Sequence, residues 1–502
     1  MGNYKIKVKV EIVECNEKTD ETPTGKQDGS FEFNISEGDA ISIDRCEQAL
    51  LRTNYGAVRE AISKHLTEVS KKKVLEQRTK GELIVNSHLY QVDGEVGRFT
   101  FSTHSIVNGK KTEYNSNRYL FPNLKAKEWY KTSGFNEIGM IYGTVEGSYR
   151  KTADLINRIR YQDGATPMRT LRENTETEGA QILDFVGRKT TEILKKNRFT
   201  EEGIPEDKSK EYMKETIVIS EEKVREAIEE SGLLPEEVAE IKKNLLVYES
   251  VNETVNISID DVGTRMQKEK RCKGGKSKGL DGKKYVHNTV AHIHKEEKTY
   301  VINGSGMAGV LRIIVGFLIN NDLLKYRLQF FADGQKTLQS GILNAFSWFS
   351  NIGLILDWYH LEDKCKMQLS MGMNGRDIRN NTLDELRRLL WYGMIDKAIT
   401  YLRGISDEFI KDKDKIGVLI NYIERNRAYI PCYAIRKKLG LRNSSNIGEK
   451  MNDIAVSNRQ KHNGMSWSKN GSVALATVTV LKINKEHKKW FEKGDLELKL
   501  AA

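Results

Sequence analysis

Acidic residues at the ends of β-type segments carry the chemistry that this sequence offers. The segment VNISID alternates Val255, Ile257 and Ile259 with Asn256 and Ser258, the pattern of a strand with one face in a core, and it ends at Asp260 and Asp261. A second segment, YRLQFFA (Tyr326–Ala332), is closed by Asp333 and Gly334. Neighbouring strands lie about 4.8 Å apart, so carboxylates at adjacent strand ends converge. Two hard oxygen ligands meeting at a sheet edge make a seat for Mg2+, which needs neither His nor Cys.

The surrounding pattern gives the elements that must position these groups. Thr264–Gln267 and a basic loop lead to KYVHNTVAHIH (Lys284–His294), a strand rich in β-branched residues. After the turn NGSG, the run MAGVLRIIVGFLI is spaced like a buried helix. Tyr326–Ala332 is then the fourth strand, Gln335–Phe349 a helix, and Asn351–Asp357 a fifth strand running into Trp358, Tyr359 and His360. LEDKCKMQL, LDELRRLLWYGMIDKAITYLRGI and KIGVLINYIERNRAYI carry apolar residues three and four apart, so 361–441 reads as an all-helical insertion. Beyond it Glu449 opens a helix with Met451, Ile454 and Val456 on its packing side and Lys450, Arg459 and Lys461 on the other. His292 and His294 are an alternate pair on a strand and, lacking a third partner, read as a surface feature rather than a metal site.

Two basic features suit a polyanion. SYRKTADLINRIRYQ, a DGA turn and MRTLREN describe a helix-turn-helix, with Thr166 as N-cap and Pro167 at the first helical position. The second helix of such a pair enters the DNA major groove, which makes Arg169, Thr170 and Arg172 its reading or phosphate-contacting side chains. Arg265–Lys284 carries nine Lys or Arg against Glu269 and Asp281, with four glycines among them. Lys273, Lys276 and Lys278 there suit a phosphate backbone; a solvated loop is the plainer alternative.

At 502 residues the chain exceeds one core, and its net charge of +11 favours nucleic acid as partner. Five scattered cysteines with no CxxC pair signal neither a disulfide framework nor a zinc ribbon, which fits a reducing compartment. The N-terminus lacks a signal-peptide core, and Met307–Ile319 contains Arg312 and falls short of the roughly 20 residues that span a bilayer, so a cytoplasmic protein without a membrane partner is expected. The domains expected are an N-terminal α+β domain (1–140) of unassigned role, a helix-turn-helix (141–200), a charged helical linker or spacer (201–250), a catalytic core (251–360), the helical insertion (361–441) and the rest of the core (442–502).

IDDVGTRMQK, FFADGQKTL, ILDWYHLEDKC and GEKMNDIAVSNRQKHNGMSWSKNG, in that order over about Val251–Leu481, resemble the core of bacterial insertion-sequence transposases of the DDE type. The nearest branch has a helical insertion before the last acid and a GM-x-W-S signature after it. The resemblance implies an RNase H-like core with a catalytic acid after the first strand, another after the fourth and a glutamate on a late helix: Asp260, Asp333 and Glu449. Family members commonly carry one acid followed by glycine at the first position. The D-G-T pattern favours Asp260, whereas strict alternation puts Asp261 on the face of Ile257 and Ile259, and both stay candidates. Three such carboxylates hold two Mg2+ ions, with Mn2+ as substitute, about 3.5 to 4 Å apart for in-line displacement at phosphorus. The resemblance also implies double-stranded DNA, as element ends and target, for a partner, a homo-oligomer on DNA, and a bacterial, nucleoid-associated location. Within it His360 orients a phosphate or a carboxylate or is merely packed, Arg459 and Lys461 contact phosphates, and Trp467 stacks on a flipped base or fills core.

The fold class expected is therefore α+β multi-domain: an RNase H-like mixed α/β core with an all-α insertion, preceded by a helix-turn-helix and an N-terminal α+β domain. Three functions fit it: a transposase that cleaves and joins DNA, a structure-specific nuclease that only cleaves, and a DNA-binding derivative without catalysis.

Overall fold

The computed structural model describes residues 3–14, 25–36, 42–79, 83–107, 113–115, 129–207, 209, 212, 217–243, 247–267, 284–462 and 464–500. They fall into two units, Met1–Thr175 with His487–Gly494 and Glu176–Glu486 with Asp495–Ala502.

In the first unit the alternating strand β1 (Asn3–Glu14) pairs antiparallel with β2 (Gly25–Ser36). Helix α1 (Ile43–Thr79) lies so close to this hairpin that a Cβ at Gly29 would fall 2.2 Å from the Ala57 carbonyl oxygen. A second sheet has the order β5-β4-β3-β6, from β3 (Leu83–Gly94), β4 (Gly97–Val107), β5 (Glu113–Asn115) and β6 (Tyr130–Lys131). Helices α2 (Ser133–Val145), α3 (Tyr149–Ile159) and α4 (Met168–Lys196) follow, with Phe135, Ala153, Ile156 and Leu171 as their shared core. The α3–α4 turn is closed by Asn157, whose side chain donates to Thr166 O at 3.1 Å and accepts from Thr166 N at 2.8 Å. The sequence pattern suggested a short second helix through Asn174, but α4 runs on for 29 residues.

The second unit begins with α5 (Glu221–Glu229) and α6 (Pro235–Lys243), in the segment expected to be a spacer. They are packed instead: Val224, Ala227 and Ile228 share a core with Tyr248 and Ile435, and buried Glu237 pairs with Arg388 at 3.4 Å and Lys397 at 3.6 Å. A five-stranded mixed sheet follows, built from β7 (Thr254–Arg265), β8 (Tyr285–Lys295), β9 (Lys298–Gly304), β10 (Arg327–Ala332) and β11 (Ile352–Leu356). Its order is β11-β10-β7-β8-β9; β7, β10 and β11 are parallel, while β8 is antiparallel to both β7 and β9.

Two strands differ from the sequence pattern. The first does not stop at Asp260 and Asp261, because β8 supplies backbone partners as far as Arg265 opposite Tyr285. Thr264 and Arg265 therefore belong to the same strand, and the third strand is KTYVING, whose Asn303 and Gly304 looked like the start of a turn.

One face of the sheet buries Val255, Ile257, Ile259 and Phe330 under α7 (Met307–Asn320) and α8 (Lys336–Ala345). The insertion is α9 (Trp358–Gly372), α10 (Arg376–Trp391), α11 (Ile395–Arg403), α12 (Lys413–Arg425) and α13 (Tyr433–Lys438), around Leu361, Leu386, Leu419 and Tyr433. Helix α14 (Asn446–Asn452) continues through a π-helical turn, Asp453–Ser457, into α15 (Asn458–Gln460), and α16 (Lys469–Ile483) follows; α17 (His487–Lys493) belongs to the first unit. Ala455, Val456, Ala476 and Val480 of this C-terminal part cover the other sheet face at Val262, Val290 and Val301. Among the described residues no helix is long and apolar enough to cross a membrane.

Gly448 sets how closely α14 approaches the sheet, since a Cβ there would lie 2.7 Å from Ser258 Cβ. Gly448→Ala is expected to lower stability in urea unfolding by about 1–3 kcal/mol, and Ser258→Gly in the same chain to recover part of the loss. Wild-type stability for Gly448→Ala would contradict this seating.

Candidate active site

Strand register brings the first two acids together. β7 and β10 run parallel with Phe331 opposite Ser258, so two residues further on Asp333 stands level with Asp260. Ile257 and Ile259 belong to the core under α7, and the alternate residues Ser258, Asp260 and Val262 face the C-terminal helices. This alternation separates the two candidate acids of the first strand. Asp260 lines a cavity with Asp333, His360, Glu449 and Asn452, whereas Asp261 accepts a hydrogen bond from Thr289 Oγ1 at 2.5 Å and lies outside that cavity. The cavity measures about 10 Å3, room for one water-sized or ion-sized sphere.

Each wall is fixed by a local bond. Asp260 Oδ1 accepts from Asp261 N at 2.8 Å, and its Oδ2 accepts from Asn452 Nδ2 at 3.0 Å. Burial pushes the Asp260 carboxyl above the ordinary aspartate range; the His360 charge opposes this, and the charges of Asp333 and Asp261 add to it. Asp333 Oδ1 accepts from Gln335 N at 3.0 Å, at the start of α8. Asp357, at the end of β11, is fully buried and caps α9 by accepting from Tyr359 N at 2.7 Å and His360 N at 3.4 Å. Its other oxygen accepts from Ser445 N, which ties the chain entering α14 to the same point.

Glu449 sits in the first turn of α14 with Oε1 3.1 Å from His360 Nε2. That oxygen is buried and receives no aligned hydrogen bond. Burial works against a charged His360, but the ionic contact with Glu449 and the charges of Asp357 and Asp260 outweigh it and raise the imidazolium pKa from 6.5 to about 9. Among the described residues, the acidic and histidine group whose ligand atoms all lie within 4.8 Å of one another is Asp357, His360 and Glu449, which could hold a metal ion. Asp260 and Asp333 border the same cavity from the strand side. Carboxylates from three elements around an ion-sized space fit a hard divalent cation.

Two positioning residues escaped the sequence reading. Asp357 had a signal, an aspartate immediately before a helix, and Asn452 had one in its place one turn beyond Glu449.

Other expected contacts are corrected by burial. Arg459 is 3% and Trp467 6% exposed, with the guanidinium 5.3 Å over the indole ring, so Arg459 is not presented to a phosphate, and Trp467 takes the core-filling alternative. Trp467 also joins the backbone of β7, donating to Arg265 O and accepting from Gln267 N, both at 2.8 Å. The π turn between Glu449 and Arg459 explains the misreading, since its wider winding shifts every later residue off the 3.6-residue phase. Lys461 remains exposed. His292, read as a surface residue, is buried on the face shared with Ser258, and His294 meets Arg442 at 2.8 Å. In the first unit Arg169 and Arg172 are exposed beside Glu173, at 2.6 and 3.9 Å, and Thr170 is half-buried. Lys273, Lys276 and Lys278 lie outside the described residues.

No protein-family model and no curated protein matches the chain. Among solved structures it is similar to the Drosophila P element transposase strand transfer complex, at 10% identity over 76% of this chain and 87% of that chain, with a TM-score of 0.24. A likeness of that size fixes neither fold nor function.

The His360–Glu449 pair has a direct readout. With a folded pKa of about 9 against 6.5 unfolded, the imidazolium stabilises the metal-free fold fully below pH 6.5, by about 3 kcal/mol at most, and the contribution is lost as pH rises through about 9. Glu449→Gln is expected to lower the His360 pKa, followed by NMR titration of the ring protons. An unchanged titration would contradict the pairing.

Proposed function

We propose that this chain is a DDE-type DNA transposase, which binds DNA ends and cleaves and joins DNA strands through Asp260, Asp333 and Glu449 on an RNase H-like core. The observation that carries the reading is the meeting of two aspartates from adjacent parallel strands with a glutamate from a C-terminal helix at one ion-sized cavity. The strand order β11-β10-β7-β8-β9, with the antiparallel strands β8 and β9 on one side of β7 and the parallel strands β10 and β11 on the other, supports the RNase H-like assignment.

Divalent ions, two Mg2+ or Mn2+ in their place, would be held by these three carboxylates and supply Lewis acidity for in-line displacement at a phosphodiester. The chain's own residues prepare the place. Asn452 and the Asp261 amide orient Asp260, the Gln335 amide orients Asp333, and Asp357 fixes the backbone from which His360 reaches Glu449. His360 balances the charge of Glu449 at 3.1 Å. Water as nucleophile gives strand cleavage, and a freed 3′-hydroxyl gives strand transfer.

In this reading Arg169, Thr170 and Arg172 on the helix-turn-helix read or grip the element end, and the basic sequence carrying Lys273, Lys276 and Lys278 contacts DNA phosphates. Lys461 does the same from the C-terminal part, and the active form on DNA is a homo-oligomer. A nuclease that cleaves without joining is the second reading, favoured by the same carboxylates.

Asp333→Ala and Glu449→Ala are each expected to abolish Mg2+-dependent cleavage and joining of labelled element-end DNA while DNA affinity stays near wild type. Joined products from wild type support the transposase; cleavage without joining supports the nuclease. Activity retained in both variants would refute the site.

A further inference from the structure

A polar groove of about 410 Å3 opens beside the carboxylate cavity and shares Asp333 and His360 with it. Its other walls include Lys336, Asp363, Lys364, Tyr422 and Arg425, from α8, α9 and α12. The cations outnumber the one added carboxylate, Asp363. Among the described residues Lys336 has no ion-pair partner, and Lys364 meets only the Tyr422 ring, at 5.6 Å. Arg425 stands over the same ring at 5.7 Å and donates to Gly334 O at 2.9 Å.

The groove is built rather than incidental. Tyr422 lies against Gly334 so closely that a Cβ there would be 2.3 Å from its ring, and a buried hydrogen bond of 2.7 Å from Gln339 to Asn426 locks α12 to α8. The start of α8, where the Gln335 amide donates to Asp333 Oδ1 at 3.0 Å, lies beside Lys336. Two lysines without an ion-pair partner among the described residues, together with Arg425, in a groove next to a cluster of carboxylates, form a surface for phosphate groups that continues out of the site.

We propose that this groove holds the phosphodiester backbone of the DNA strand flanking the bond under attack, with Lys336 and Lys364 as the contacting cations. The inference rests on the strand-cleavage reading above, and it makes the helical insertion part of the DNA-binding surface. Arg425 and Tyr422 act as positioning residues that hold the Asp333–Gly334 turn against the groove.

The test measures affinity of the full chain for a fluorescent duplex carrying the element end, in Ca2+ to suppress chemistry, across a salt series. Each lysine–phosphate contact contributes roughly 0.9 to the slope of log affinity against log salt, so K336Q/K364Q is expected to lower the slope by about 2, and K336R/K364R to keep it. An unchanged slope and affinity in K336Q/K364Q overturns the groove even if wild type cleaves DNA in Mg2+. Competition by inorganic phosphate with no change of slope assigns the groove to a small anion and likewise overturns it. A lowered slope with no cleavage by wild type keeps the groove as a DNA site and overturns the strand-cleavage reading instead.

Discussion

Placing like charges side by side in a partly buried cavity is the constraint on which the rest of this site depends. The parallel register of β7 and β10 sets Asp260 level with Asp333, and α14 brings Glu449 to the same space. Burial disfavours Asp260 as an anion, and the one cation of the cluster, His360, which contacts Glu449, offsets this only in part. An arrangement of this kind persists only if surrounding packing enforces it, or if a cation completes it. The enforcing contacts are visible: the Asp357 cap joins β11, α9 and the entry to α14, and Asn452 reaches back from α14 to Asp260.

The helical insertion belongs to that enforcement. Tyr433 is fully buried and donates to Leu356 O at the end of β11 at 2.7 Å, next to Asp357. Trp358, Trp391 and Tyr433 pack ring against ring behind the first turn of α9, with Trp358 4.7 Å from Trp391 and 5.0 Å from Tyr433. From the other side, Tyr422 and Arg425 bear on the Asp333–Gly334 turn. The insertion thus presses on two of the strand ends that carry the acids, which explains why so large a helical body interrupts the core between β11 and α14.

Local patterns were legible where they depend on the chain's own periodicity. VNISID and YRLQFFA read as strands, and the three- and four-residue spacing of the insertion read as helices, because burial of one face dictates both. What depends on a distant partner was not legible. The length of β7 is set by β8, the strand KTYVING by pairing with that same strand, and the inward turn of Arg459 by a π turn that no periodicity announces. The choice between Asp260 and Asp261 lay between these limits: alternation gives two faces, but only the packing of α14 on the Ser258 face says which of them is the cavity.

The most direct measurement is anomalous scattering from crystals of the protein soaked in Mn2+, for wild type and Asp333→Ala. Anomalous density among the carboxylates of Asp260, Asp333 and Glu449, lost in the variant, is the expected result. Mn2+ absent from that cavity in wild type, or bound without Asp260 and Asp333, would contradict a carboxylate centre for strand cleavage.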